Sequence, residues 1–186
     1  MNDFAYLHVH THFSRVGGPA SPAEWCRQAS ALGYKALATA DRAPLAGLSA
    51  FIEAARREGL TPIIGVEFDV LLTIGGSRIS EPISTPAVLF ARDGEGTANL
   101  SKLCALAYAG WPTSEEPIEW EALVRHSSGL VLVLVGENEA GVISPVMGLA
   151  PKKLAELGGE LKEYFGEAVF VGLPHSGHPE DSTLAS

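Results

Sequence analysis

Six histidines occur in 186 residues, and three of them alternate within one short stretch, Leu7-His8-Val9-His10-Thr11-His12. In extended backbone, residues i, i+2 and i+4 share a face, so His8, His10 and His12 can point together. Three imidazoles on one face suit a divalent transition metal. The other reading is a polar strand end with solvated histidines. Hard anionic ligands are offered by the ends of two further apolar runs: Asp41 follows Ala36-Leu37-Ala38-Thr39-Ala40, and Glu67 follows Pro62-Ile63-Ile64-Gly65-Val66. Taken singly, Asp41 also reads as a turn or cap residue. His175 and His178, in Leu173-Pro174-His175-Ser176-Gly177-His178-Pro179, are either further ligands or part of a Gly- and Pro-rich surface loop.

Such residues need a scaffold that brings strand ends together. Residues Phe4 to Val9 read as a strand. Ser21 with Glu24 three residues on forms a capping-box pattern for a helix over Pro22 to Leu32, stopped by Gly33. A strand over Lys35 to Thr39, a helix over Gly47 to Glu58 with Leu48, Phe51, Ile52 and Ala55 on one face, and a strand over Thr61 to Val66 follow. Thr73 to Pro86 is turn-rich and predicts a hairpin or loop before a buried run, Ala87 to Ala91. Helices over Gly94 to Tyr108, Pro117 to His126 and Pro151 to Phe165, with strands in Gly129 to Gly136 and over Ala168 to Leu173, complete the pattern. This alternation predicts an α/β fold with a mainly parallel sheet, either an open layer or a barrel, with helices packed outside. In parallel strands the ligand-bearing ends fall on one edge, where α/β folds place their sites.

Composition narrows the choice of partners. The formal net charge is −9, so the chain has no electrostatic footprint for a phosphate backbone and is expected to bind DNA poorly on its own. Cys26 and Cys104 lie in apolar helical contexts and read as buried thiols rather than a disulfide framework. The start of the chain lacks a signal-peptide pattern, and no window reaches the roughly 18 apolar residues of a membrane span. The expectation is a soluble cytoplasmic protein of one domain, residues 1–186, without internal repeats.

The blocks LHVHTHFS, ALATADRAPLAG and PIIGVEFDV, followed by VLFARDGEGTANLSKLCALAYAG and HSSGLVLVLVG, resemble the polymerase and histidinol phosphatase (PHP) domain that opens bacterial DNA polymerase III alpha subunits. The resemblance covers nearly the whole chain. It implies a distorted (β/α) barrel of PHP type with seven strands, incomplete here at the C-terminus. Intact members bind a cluster of divalent metal ions and can hydrolyse phosphoesters. Carried over residue by residue, the paired histidines of the first motif are His8 and His10, the acid of the second is Asp41 and the glutamate of the third is Glu67.

The departures are Arg42 where the family has His after the acid, Pro86 where a His precedes the VLFAR strand, and Gly17 where an acid often stands. Ser176-Gly177 aligns with a His-Gly step, with His175 adjacent, and a final Asp-x-His motif is absent from a sequence ending at Ser186. His12, His175 and His178 are the residues that could substitute. The losses resemble those of degenerate PHP domains, including the error-prone polymerase type, where Asp-Arg also occurs. The fixed charge of Arg42 can replace a missing cation by pairing with Asp41 or Glu67.

Two functions follow from this resemblance. One is a module associated with DNA polymerase III alpha-type replication proteins, with a degenerate metal centre, a structural or polymerase-supporting role and residual metal binding. Its partners would be the remainder of a polymerase or other replication proteins. The other is an active metal-dependent phosphoesterase, of phosphatase or 3'-5' exonuclease type. The cofactors implied are zinc, manganese or magnesium, held substoichiometrically or not at all in the first case. Polymerisation itself is not expected, because in that family the catalytic aspartates lie beyond the length of this sequence.

Overall fold

The computed structural model describes residues 4–14, 17–42, 45–73, 82–110, 113–136 and 145–172. Helix α1, Pro22–Ala31, starts as its sequence dictates. The Ser21 hydroxyl accepts the Glu24 N–H at 3.2 Å, and the Glu24 carboxylate accepts the Ser21 N–H at 2.8 Å. Pro22 occupies the first turn, where its missing N–H costs nothing, and Gly33 follows the end at φ +82°. Strand β1, Ala36–Thr39, comes next, then helix α2, Leu48–Arg57. Cys26 and Ala29 of α1, Leu37 of β1 and Phe51, Ala54 and Ala55 of α2 form one buried cluster with Val9.

The remaining strands are β2, Thr61–Leu72, β3, Ile83–Ala91, β4, Leu130–Val135, and β5, Val169–Gly172. They join β1 in one sheet in sequence order. Neighbours β1/β2 and β4/β5 are parallel, whereas β2/β3 and β3/β4 are antiparallel. The expectation of a mainly parallel sheet therefore fails at its centre. Between β2 and β3 the cause is the short connection after Thr73, whose flanks pair as arms of a hairpin, Leu72 opposite Ile83 and Gly65 opposite Phe90. A short connection of this kind can only reverse the chain, whereas a parallel crossover needs a dozen or more residues. Pairing with β3 also carries β2 six residues beyond the expected end at Val66, to Leu72.

Helix α3, Gly94–Ala107, begins where the Asp93 carboxylate accepts the Gly96 N–H, and α4, Trp120–Arg125, and α5, Pro151–Phe165, follow. One face of the central strands (Phe68, Val70, Leu89, Leu132) packs with Leu100 and Leu103 of α3, Leu123 of α4 and Leu157, Leu161 and Phe165 of α5. The other face carries Ala38, Ala40, Val88, Phe90 and Val135. The result is a mixed α/β fold whose five strands curl into a half barrel. Both thiols are buried, as expected, and burial pushes Cys26 up to about 11 and Cys104 to about 12.

The segment expected as a first strand, Phe4 to Val9, is not a regular strand. It runs parallel to β1 with a single ladder bridge, Tyr6 to Leu37. The Tyr6 carbonyl accepts the Ala38 N–H at 3.1 Å, and the Val9 carbonyl, not that of His8, accepts the Ala40 N–H at 2.8 Å. Three residues of the edge segment thus span two of β1, a one-residue bulge between Tyr6 and Val9. Bulges re-aim side chains, and this one sits beside the histidines.

Candidate metal centre

After the bulge the chain turns, with the Ser14 N–H donated to the Thr11 carbonyl at 2.9 Å and the His12 N–H to that of Ala20 at 3.0 Å. Gly18 closes the loop. A Cβ there would stand 2.3 Å from the His10 carbonyl oxygen and 2.4 Å from that of Thr11, so only glycine fits without displacing the backbone that carries His10. The Trp25 indole N–H also donates to the His10 carbonyl, at 3.1 Å, tying α1 to the same point. His10 is buried, and its Nδ1 lies 3.0 Å from the Ser14 hydroxyl. In the tautomer that donates Nδ1–H to Ser14, Nε2 keeps its lone pair for the site. The turn takes His12 out of the alternation: it is exposed, its ring against Phe13 at 4.3 Å between centroids.

Glu67 lies on β2 just beyond its pairing with β1, which ends at Thr39 opposite Ile64. Its backbone is held from both sides. Its N–H donates to the Asp41 carbonyl at 3.3 Å, and its carbonyl accepts the Tyr108 hydroxyl at 2.9 Å. The side chain is 4% exposed, and its Oε2 lies 2.6 Å from His8 Nε2 and 3.3 Å from His10 Nε2. The two Nε2 atoms are 3.1 Å apart. Burial alone would raise the pKa of Glu67 by disfavouring its charged form. Hydrogen bonds from His10 and His8 and the charges of His8 and Arg42 outweigh it, holding the carboxyl well below the usual carboxylate range.

These three donors fit one divalent ion. All lie within 4.8 Å of one another, and tetrahedral ligands at about 2.1 Å stand about 3.4 Å apart. Two of the three separations are already near that value, and the third needs the His8 to Glu67 hydrogen bond to open. Two imidazoles and a carboxylate are a donor set that could hold a divalent ion, with His8, 37% exposed, on the solvent side.

The other oxygen of Glu67 faces a cation that the chain supplies itself. Arg42 Nη1 donates to Glu67 Oε1 at 3.0 Å, and Nη2 donates to Asp69 Oδ2 at 2.6 Å and to Glu115 Oε1 at 2.8 Å. The Arg42 side chain is 14% exposed. Although burial opposes its charge, these partners, Asp69 first, raise its basicity further. Pro86 lies opposite Asp69 in the β2/β3 register, beside this cluster.

Of the two partners expected for Arg42, Asp41 or Glu67, the guanidinium takes Glu67 and not Asp41. The Asp41 carboxylate turns to Thr11, accepting the backbone N–H at 2.5 Å and the hydroxyl at 2.6 Å. Nor is it in the group of donors formed by His8, His10 and Glu67. His175 and His178 lie outside the described residues.

Sequence reasoning did not single out Asp69, Glu115 or Ser14. Asp69 was within reach, because position i+2 on a strand shares the face of Glu67. Ser14 and Glu115 stand in a turn and a loop, and Glu115 meets Arg42 across 73 residues of sequence.

A half-barrel sheet thus carries a His-His-Glu cluster, built from β2 and the segment beside β1, that could hold a metal ion. The PHP domain family model matches residues 6–174, and the chain belongs to that family. It is 30% identical over 187 residues to the DNA polymerase III subunit alpha of Aquifex aeolicus, covering 96% of this chain and 16% of that protein. It is 29% identical over 181 residues to that of Escherichia coli (97% and 15%), and 30% over 170 residues to error-prone DNA polymerase 3 of Agrobacterium fabrum (91% and 14%). The chain thus spans about one sixth of the length of these curated relatives. Among solved structures, a protein described as a metal-dependent phosphoesterase from Bifidobacterium adolescentis superposes with a TM-score of 0.66 at 16% identity, covering 100% of this chain and 82% of that one. At that identity the likeness concerns the fold.

Proposed function

We propose that this PHP domain is a supporting module of a DNA polymerase III alpha-type assembly, with a reduced metal centre that holds at most one divalent ion. The observation that carries the reading is Arg42, whose guanidinium bridges Glu67, Asp69 and Glu115 and so stands where a cation would neutralise clustered acids. His8, His10 and Glu67 would hold the remaining ion, which when bound supplies Lewis-acid chemistry toward a phosphoryl oxygen or water. The kinship to polymerase subunits supports the assembly, and the net charge of −9 supports a role that does not depend on gripping DNA alone.

The opposing reading, an active phosphoesterase, is favoured by one observation: the His-His-Glu set is intact and open to solvent at His8. Metal content by plasma mass spectrometry, with hydrolysis of p-nitrophenyl phosphate, separates the two. The module reading expects no more than one ion per chain and no turnover. Arg42→His combined with Pro86→His should raise the ion content. Two or more ions in the wild type, with hydrolysis abolished by His10→Ala, would establish the enzyme instead.

A further inference from the structure

We propose that Asp41 is a positioning residue that acts on His10 through Thr11, and not a donor to a bound ion; the ion itself rests on the reading given under Proposed function. Both oxygens of its carboxylate are taken by one residue, Thr11, through the backbone N–H and the hydroxyl. Both residues are buried. Turning Asp41 toward an ion would leave a buried N–H and a buried hydroxyl without their acceptor, and such groups are costly to strand.

Thr11 is also the hub of the turn that carries His10. Its hydroxyl oxygen accepts the Phe13 N–H at 3.2 Å, and its carbonyl accepts the N–H groups of Ser14 at 2.9 Å and Gly18 at 3.1 Å. Ser14, fixed in this way, contacts His10 Nδ1 at 3.0 Å and accepts the backbone N–H of Arg42 at 3.1 Å. Residues 41 and 42 therefore grip the turn at two points, the first by a side chain and the second by a backbone N–H. The chain of contacts runs from Asp41 to Thr11, to Ser14 and to the far nitrogen of His10. The effect is to fix the ring so that Nε2 faces Glu67. A hydrogen-bond partner of this kind tunes a ligand without touching the ion.

Thr11→Val is the decisive variant, because it keeps the shape of the side chain, removes the hydroxyl and touches no donor atom of the cluster. Asp41→Asn is its companion, and Thr11→Ser, which restores a hydroxyl, is the control for folding and rescue. Two readouts are made on the full chain: imidazole nitrogen shifts by long-range proton–nitrogen NMR without metal, and cobalt(II) titration followed by its visible absorption. A positioning role predicts that Thr11→Val and Asp41→Asn both move the His10 nitrogens, and that each weakens cobalt affinity by about 10-fold or more. It also predicts that the cobalt spectrum is unchanged at saturation, that the double variant is no weaker than either single one, and that Thr11→Ser behaves as wild type. A changed spectrum and lost binding in Asp41→Asn, with Thr11→Val unaffected, would make Asp41 a ligand and overturn the proposal. If the wild type takes up no cobalt, the single-ion reading fails separately, and the NMR arm still decides: unmoved His10 nitrogens in Thr11→Val overturn the positioning role, and moved ones support it.

Discussion

The two oxygens of Glu67 face two different environments a few ångströms apart. Oε2 meets the imidazoles of His8 and His10 at 2.6 and 3.3 Å, nitrogen groups of the kind that can hold a divalent ion. Oε1 meets the guanidinium of Arg42 at 3.0 Å, which also holds Asp69 and Glu115. One half of the centre is open to an ion, and the other already contains a permanent cation. The difference lies in exchangeability. Arg42 cannot leave, cannot lose its proton and cannot polarise water as a metal does, so it preserves the shape of the cluster while giving up its chemistry.

The largest expected effect comes from breaking the permanent half. Arg42→Met removes the guanidinium counter-charge from Glu67 and Glu115, buried carboxylates whose side chains are 4% and 5% exposed. Losing one partner of a buried pair costs about 3–5 kcal/mol. Urea denaturation should show that loss, and millimolar manganese or zinc should recover part of it, because a divalent ion can then take the position of the guanidinium. Recovery by neither metal would mean that the acids need the planar, bidentate geometry of arginine and not its charge alone.

Next in size is the response to acid. The folded value of Glu67 lies below its ordinary value near 4.5, so as pH falls beneath that point the unfolded chain takes up a proton that the folded one does not. The stabilisation is complete above about pH 5 and is lost progressively as pH drops through the folded value. Arg42→Met removes one cause of the depression, and its stability should therefore fall less steeply with acid than that of the wild type. Melting temperatures of both metal-free proteins between pH 3 and 7 give the comparison directly. A parallel pair of curves would show that the imidazoles alone set the acidity of Glu67.

The same contrast shows what a sequence can and cannot display. The imidazole half is encoded locally: two histidines at i and i+2, and a glutamate at the end of an apolar run. The helix starts are local too, and the capping box of Ser21 and Glu24 forms as read. The alternation that included His12 fails because it presumes a continuous strand, and the bulge between Tyr6 and Val9 and the turn at Thr11 depend on how β1 and Gly18 receive the segment. The parallel sheet fails because periodicity along a strand carries no information on the direction of its neighbour. The guanidinium-facing half is the least legible. Arg42 and Asp69 are near Glu67 in sequence, but Glu115 reaches them through a separate loop, held where Ile118 bridges Val70 of β2 and its carbonyl accepts the Leu71 N–H at 2.8 Å.

That loop allows a finer test of the permanent half. Glu115→Gln keeps the shape and one acceptor oxygen but lowers a charge-assisted bond to a neutral one. A hydrogen bond to a charged group contributes about 1.5–3 kcal/mol, and part of it survives in the amide, so the expected loss is about 1 kcal/mol. Ion affinity at the imidazole half should be unchanged, since Arg42 retains Glu67. A change in cobalt affinity comparable to that of a ligand variant would show that the two halves are not separable.

The smallest effect on stability, and the sharpest division between the halves, is expected from His8→Ala. His8 is 37% exposed and lies on a segment joined to β1 by one ladder bridge, so few buried contacts are lost. Its hydrogen bond to Glu67 is partly replaced by water and by His10, which already stands 3.3 Å from the same oxygen. Unfolding free energy should therefore change by no more than about 0.5–1 kcal/mol. Ion binding should nevertheless fall at least 100-fold, because the donor set drops from three residues to two. Arg42→Met gives the inverse pattern, a large loss of stability with the three donors still in place. The pair of variants, measured by urea denaturation and cobalt titration on the same preparations, tests whether one carboxylate serves two independent roles. A loss of several kcal/mol in His8→Ala would contradict the division, since it would mean that the imidazole half holds the fold together as Arg42 does.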